Sequence, residues 1–364
     1  MSIWSAQKRL VALDGGGVRG IVSIAFLERI EALLKEASGA GDAFRLADHF
    51  HLVGGTSTGA IIAAALATGR SVAEIKTLYL DLAPRVFRRY WSRLPYVRAR
   101  FATSPISEVL AAELGDMSLD DPKIRTKLAI VMKRVDTGRP WIVSNLPDQP
   151  YWNDSPSGGR RGNRHYKLAT LVRASTAAPS FFGPERISIA ADQPPGVFID
   201  GGITPYNSPT LPLLMLATLR AYGLCWSLGP ENLSMISIGT GRHRHKVAPS
   251  PFVPAAVFAA ETLAGLIEDC QATSLMLMQW LAASEAPWFL NREIQDLQGE
   301  HLCGHALLAF ERYDLLLEEN WLKDHLGEKI DARKLKHLRR MDDPAMMPDL
   351  YALAVKAAER QVKL

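Results

Sequence analysis

Residues 50–67, FHLVGGTSTGAIIAAALA, pass from a short apolar run through glycines and small hydroxyl residues into an alanine-rich run. The first part suits a short strand over 50–53 and the last a buried helix over 60–67, with GGTSTG as the tight turn between them. The same grammar stands earlier in the chain. Residues 9–13 are a short apolar run, DGGGVRG follows, and IVSIAFLERIEALLKEA then carries apolar residues at helical spacing. Two strand–loop–helix units within the first 70 residues predict an α/β fold: a mostly parallel central sheet flanked by helices on both faces.

Further along, residues 126–136 and 141–144 read as strands around the turn Thr137-Gly138, forming a hairpin. Residues 147–163 are rich in Pro, Gly, Asn and Ser and read as a loop. A helix is expected over 168–177, stopping before Pro179, then strands over 197–199, ending at Asp200, and over 233–238, ending in GTG. Beyond about Pro251 the pattern is helical, with 252–283 as one long helix and a weak boundary at the basic stretch 242–246. These readings divide the chain into an α/β domain over 8–241 and a mainly helical C-terminal extension over 242–364, packed on the same domain.

Composition narrows the class. The chain has 364 residues, 48% apolar and 22% charged, with a net charge of +4. That is globular rather than disordered, and too mildly basic for nucleic acid to be the main partner. Cys225, Cys270 and Cys303 show no CxxC spacing, so neither a disulfide framework nor a zinc ribbon is indicated. The N-terminal MSIWSAQKRLVALDGGG has no signal-peptide core, and a cytoplasmic protein is expected. Glu261, Glu268 and Asp269 interrupt any span within 252–283, so membrane contact would come from the surface.

Three motifs carry chemistry. Gly55-x-Ser57-x-Gly59 is the pattern of a nucleophile elbow, in which Gly55, Thr56, Thr58 and Gly59 form a strained strand-to-helix turn around an exposed serine hydroxyl. The plainer alternative is a glycine-rich turn with an incidental serine. DGGGVRG lies some forty residues upstream at the start of a helix. Consecutive glycines let backbone N–H groups point inward together beside a helix N-terminus, which suits an oxyanion hole built from Gly15, Gly16, Gly17, Val18, Arg19 and Gly20. Gly15, Gly17 and Gly20 also satisfy GxGxxG, so a non-catalytic nucleotide-binding module stays open as an alternative. Against it, Asp14 would set a carboxylate near a pyrophosphate, and no acidic residue ends a second strand about twenty residues on. Asp200-Gly201-Gly202 places a carboxylate at a strand's C-terminal end; in a parallel sheet that is the edge where Ser57 and the glycine loop emerge.

DGGGVRG, GTSTG and DGG in this order resemble the patatin-like phospholipase family, over residues 8 to about 241 and including the ISIGTG strand. The resemblance implies a Ser57–Asp200 dyad, residues 15–20 as the oxyanion loop, no metal or other cofactor, and phospholipid esters as substrates. Some similar proteins are effectors of bacterial anti-phage systems switched on by cyclic nucleotides, which makes a cyclic nucleotide activator a candidate partner. The alternative is a Ser-His-Asp carboxylesterase of α/β-hydrolase type, with Ser57, Asp200 and then His243 or His245 from GRHRHK. His49 and His51 flank the elbow strand and read as packing or hydrogen-bonding residues. Residues 84–101, PRVFRRYWSRLPYVRARF, hold six arginines and no acid among Phe87, Tyr90, Trp91, Tyr96 and Phe101. Arg88, Arg89, Trp91 and Arg93 are candidates for a lipid surface, giving peripheral membrane contact when active. The same composition suits nucleic acid or a nucleotide signal, or an irregular segment whose arginines pair with acids elsewhere.

Overall fold

Strand β1 (Lys8–Leu13) sends alternate side chains into two separate cores: Val11 and Leu13 into one, Leu10 and Ala12 into the other. A strand apolar on both faces has to be covered on both. The computed structural model describes residues 7–87, 100–156, 158–179, 181–244 and 255–363. Arg88, Arg89, Trp91, Arg93 and His245, singled out from the sequence, lie outside the described residues.

After β1 come α1 (Gly20–Ser38), α2 (Leu46–His49), β2 (Leu52–Thr56), α3 (Thr58–Ala67), α4 (Val72–Val86) and α5 (Ser104–Leu114). The hairpin strands β3 (Lys127–Arg134) and β4 (Arg139–Ser144) follow, then α6 (Leu168–Ser175), β5 (Glu185–Ile187), β6 (Gly196–Asp200) and α7 (Thr210–Thr218). The chain continues with β7 (Leu233–Ile238), α8 (Ala255–Leu281), β8 (Ala309–Tyr313), α9 (Glu319–Trp321), α10 (Ala332–Leu338) and α11 (Met347–Gln361). The described strands form one sheet, hydrogen-bonded in the succession β5-β6-β3-β2-β1-β7-β8, with β4 on the other edge of β3. β3, β2, β1, β7 and β8 are parallel. β4 and β6 run antiparallel to β3, and β5 antiparallel to β6. Ile24 of α1, Ala63 of α3, Leu171 of α6 and Leu350 of α11 line one core. Leu213 and Leu216 of α7 and Leu275 and Met278 of α8 line the other. The sheet is therefore mostly parallel, with helices on both faces.

Three elements differ from the sequence reading. The elbow strand begins two residues later than expected and runs through the glycines to Thr56. Gly54 and Gly55 pair with β1 and β3 within the strand, and nothing larger fits there: a Cβ on Gly54 would crowd Leu213, and one on Gly55 would run into the Gly59 carbonyl. A strand, β8, appears in the region read as helical. Its AFERY sequence hides the strand pattern, because Arg312 is a buried charge at a position where an apolar residue would be sought.

The third difference is that β6 is not one of the parallel strands. β4 and β6 both pair with Met132, so they lie on opposite edges of β3; β4 and β2 both pair with residues 129–131, so β2 and β6 share one edge. They approach each other from opposite directions and stop at neighbouring positions, Thr56 opposite Val131 and Asp200 opposite Met132. Their C-terminal ends therefore meet on the edge of β3.

Candidate active site

Ser57 is the first residue past β2 and caps α3 with φ 55° and ψ −122°, a conformation that L side chains adopt only where the surroundings enforce it. Close backbone packing and side-chain hydrogen bonds together enforce it. A Cβ on Gly59 would strike the Leu13 carbonyl, so the first turn of α3 sits directly on the end of β1. Thr56 Oγ1 donates to the Tyr206 carbonyl at 2.8 Å. The Thr58 and Tyr79 hydroxyls, 2.7 Å apart, converge on the Gly17 carbonyl and tie the elbow to the glycine loop.

Ser57 Oγ donates to Asp200 Oδ2 at 2.6 Å, and Asp200 Oδ1 accepts the Gly202 N–H at 2.6 Å. Gly201 is packed so closely that a Cβ would run into the Val131 carbonyl. Asp200 is 4% exposed. Burial pushes its pKa up to about 6; the Ser57 hydroxyl, the Gly202 N–H and the Arg173 charge oppose that rise.

The glycine loop lies over the serine, since a Cβ on Gly15 would be 3.1 Å from Ser57 Cβ. Its N–H groups are not equivalent. That of Gly15 donates to the Asn207 carbonyl at 3.2 Å, that of Val18 to Met341 at 3.0 Å and that of Arg19 to Gly16 at 3.2 Å. Gly20 N–H is held by the Gly17 and Val18 carbonyls. The N–H groups of Gly16 and Gly17 donate to no acceptor among the described residues. Gly17 has φ 59°, and a Cβ there would meet the Met341 carbonyl. Asp14, just before the loop, is ion-paired to Arg312 at 2.6 Å, and Arg312 also meets Asp314 at 2.6 Å. The buried Arg19 side chain donates to the Arg339 carbonyl at 3.3 Å and lies 3.3 Å from His243 Nδ1.

His243 thus faces Arg19, while both Asp200 oxygens are engaged by Ser57 and Gly202. His51 Nδ1 accepts the Arg9 N–H at 3.1 Å and His49 packs edge-on against Phe50. Burial first, then the Arg9 charge, lowers both histidine pKa values to about 4. Ser175 was missed by sequence reasoning, yet its hydroxyl accepts the Ser57 N–H at 2.8 Å. Its only sequence signal is a place near the end of a helix before Pro179, which many serines share. Arg312 and Asp314 were missed because β8 was.

A model of patatin-like phospholipases matches residues 11–214. A cGAMP-activated phospholipase of Escherichia coli is 28% identical over 247 residues, covering 66% of this chain and 64% of that protein. One from Vibrio cholerae is 30% identical over 212 residues, covering 55% of each. Patatin-07 of Solanum tuberosum is 27% identical over 249 residues, 64% of this chain and 60% of its own. The chain thus spans between 55% and 64% of the length of these relatives. With the family match extending over more than half of its residues and enclosing the glycine loop, the elbow and the aspartate turn, the chain belongs to the patatin-like phospholipase family.

Proposed function

We propose that the chain is a serine lipid acyl hydrolase of phospholipase A type, with Ser57 as nucleophile and Asp200 as base. The observation that carries this reading is the direct 2.6 Å hydrogen bond from Ser57 Oγ to Asp200 Oδ2. A carboxylate is a weak base in water. Burial that moves Asp200 to about 6 brings it near working pH, where a general base is most effective. Ser57 Oγ bonds to the acyl carbon as its proton passes to Asp200, and the N–H groups of Gly16 and Gly17 receive the oxyanion. The C–O bond to the lysolipid breaks, and the leaving oxygen takes the proton from Asp200. Water then gives a proton to Asp200 and adds to the acyl-enzyme; the fatty acid leaves and Ser57 recovers its hydrogen.

Phospholipid as substrate is supported by the family and by the names of the two bacterial relatives. The same names support a cyclic nucleotide as activator. The arginine- and aromatic-rich composition of 84–101, with Arg88, Arg89, Trp91 and Arg93, supports peripheral contact with anionic lipid from the cytoplasmic side. Among the described residues no helix is long and apolar enough to cross a membrane. Fatty acid release from mixed phospholipid vesicles, with and without cGAMP, tests the reading. Parent protein should release fatty acid, more so with the nucleotide, and Ser57→Ala should lose on the order of a thousandfold or more. Retained release by Ser57→Ala removes Ser57 from the mechanism, and release unaffected by nucleotide removes the activator.

A further inference from the structure

We infer that the C-terminal end of α6 is the clamp that sets the separation of Ser57 and Asp200, with Ser175 as a positioning residue. The inference rests on the reading of these two as nucleophile and base. β2 and β6 end where they meet, so neither strand's ladder carries on across the junction to fix one end against the other. The last residue of α6 and the two after it supply what the ladder cannot. Ser175 Oγ accepts the Ser57 N–H at 2.8 Å and donates to the Val131 carbonyl at 2.6 Å, anchoring the elbow to β3. Two residues on, the Ala177 carbonyl accepts the Asp200 N–H at 3.0 Å. One three-residue stretch therefore bonds the backbones of both reacting residues.

The physical need is specific to Ser57. A residue at φ 55° holds that shape only while its surroundings over-determine it. α3 has no side-chain cap bond of its own at this end, so the Ser175 hydroxyl is the partner that fixes the Ser57 peptide. Ser175 is fully buried, and an alanine there would leave the Ser57 N–H and the Val131 carbonyl short of a partner. The elbow would then relax toward commoner dihedrals and swing Oγ away from Asp200. Losing the Ser57 hydroxyl's bond to Asp200 also removes a contact that opposes the rise in the Asp200 pKa. Among the described residues, the remaining groups facing the carboxylate are the Gly202 N–H and the Arg173 guanidinium.

The test measures kcat and KM against pH on a soluble short-chain ester for parent, Ser57→Ala, Ser175→Ala, Ser175→Cys and Thr176→Val, each checked for folding by thermal denaturation. Ser175→Ala should lose roughly ten- to a hundredfold in kcat with KM changed less than about twofold, and its acid limb should move up by about half a pH unit or more. Ser175→Cys, with a weaker donor and acceptor of similar shape, should fall between it and the parent. Thr176→Val loses a buried hydroxyl bond of the same segment, 3.0 Å to the Arg173 carbonyl, and should keep the parent's pH profile. A folded Ser175→Ala with the parent's kcat and acid limb overturns the inference alone. If that variant does not fold, a parent-like Ser175→Cys overturns it equally. Activity surviving in Ser57→Ala would instead sink the dyad, and this inference with it.

Discussion

At Asp200 the burial that raises the carboxylate's basicity also costs folded stability. Its pKa stands near 6, against 3.8 ordinarily, with burial as the largest cause. A carboxyl raised in this way holds its proton more tightly in the native state. Its contribution favours the fold below the unfolded pKa and is lost as pH climbs through the folded one. Asp200→Asn is therefore expected to end hydrolysis yet raise stability at pH 7 by roughly 2–3 kcal/mol, the gain opening between about pH 4 and 6. Chemical denaturation of variant and parent at pH 4 and pH 7 checks this, and a variant no more stable than the parent at pH 7 contradicts a buried, ionised base. Ser57 and Asp200 were legible in the sequence because a strained elbow and a tight aspartate turn force glycines beside them. Ser175 was not, since its partner Ser57 lies 118 residues away and no local pattern marks the contact.

Among the elements, α3 shows how a helix is aimed by what it lacks. Gly55 and Gly59 let its first turn rest on the ends of β1 and β2, and the remainder, AIIAAALA, is buried on every side. Gly59→Ala must push the turn off the Leu13 carbonyl, so a loss of about 2–4 kcal/mol is expected together with lost hydrolysis, as the elbow moves with the helix. Urea denaturation beside an ester assay measures both; a variant with parent stability would mean that the helix rests elsewhere. The strand-turn-helix units β1–α1 and β2–α3 were readable from periodicity and glycine placement alone. The direction of β6 was not, because a strand's sequence carries no mark of its neighbour's polarity. Only the hairpin β3–β4, by extending β3 past β2, leaves an edge on which β6 can return.

Over the whole molecule, residues 255–363 complete what the first two thirds begin. β8 adds the last parallel strand, α11 packs along α1, and the Met341 carbonyl holds the Val18 N–H of the glycine loop. Arg312 sits between Asp14 and Asp314 and also donates to Ser237 Oγ at 2.7 Å, so β8, β7 and the loop share one buried ion network. Such a network is specific to the assembled fold, because removing either sign leaves an uncompensated buried charge. The proposed function rests on one serine hydroxyl being activated by an aspartate beneath a glycine loop. Peptide mapping by mass spectrometry after treatment of the intact protein with a fluorophosphonate tests it most directly. The account predicts one adduct, on Ser57, which is absent from Ser57→Ala and slow to form in Asp200→Asn; an adduct on another residue, or equal labelling of Asp200→Asn, would contradict it.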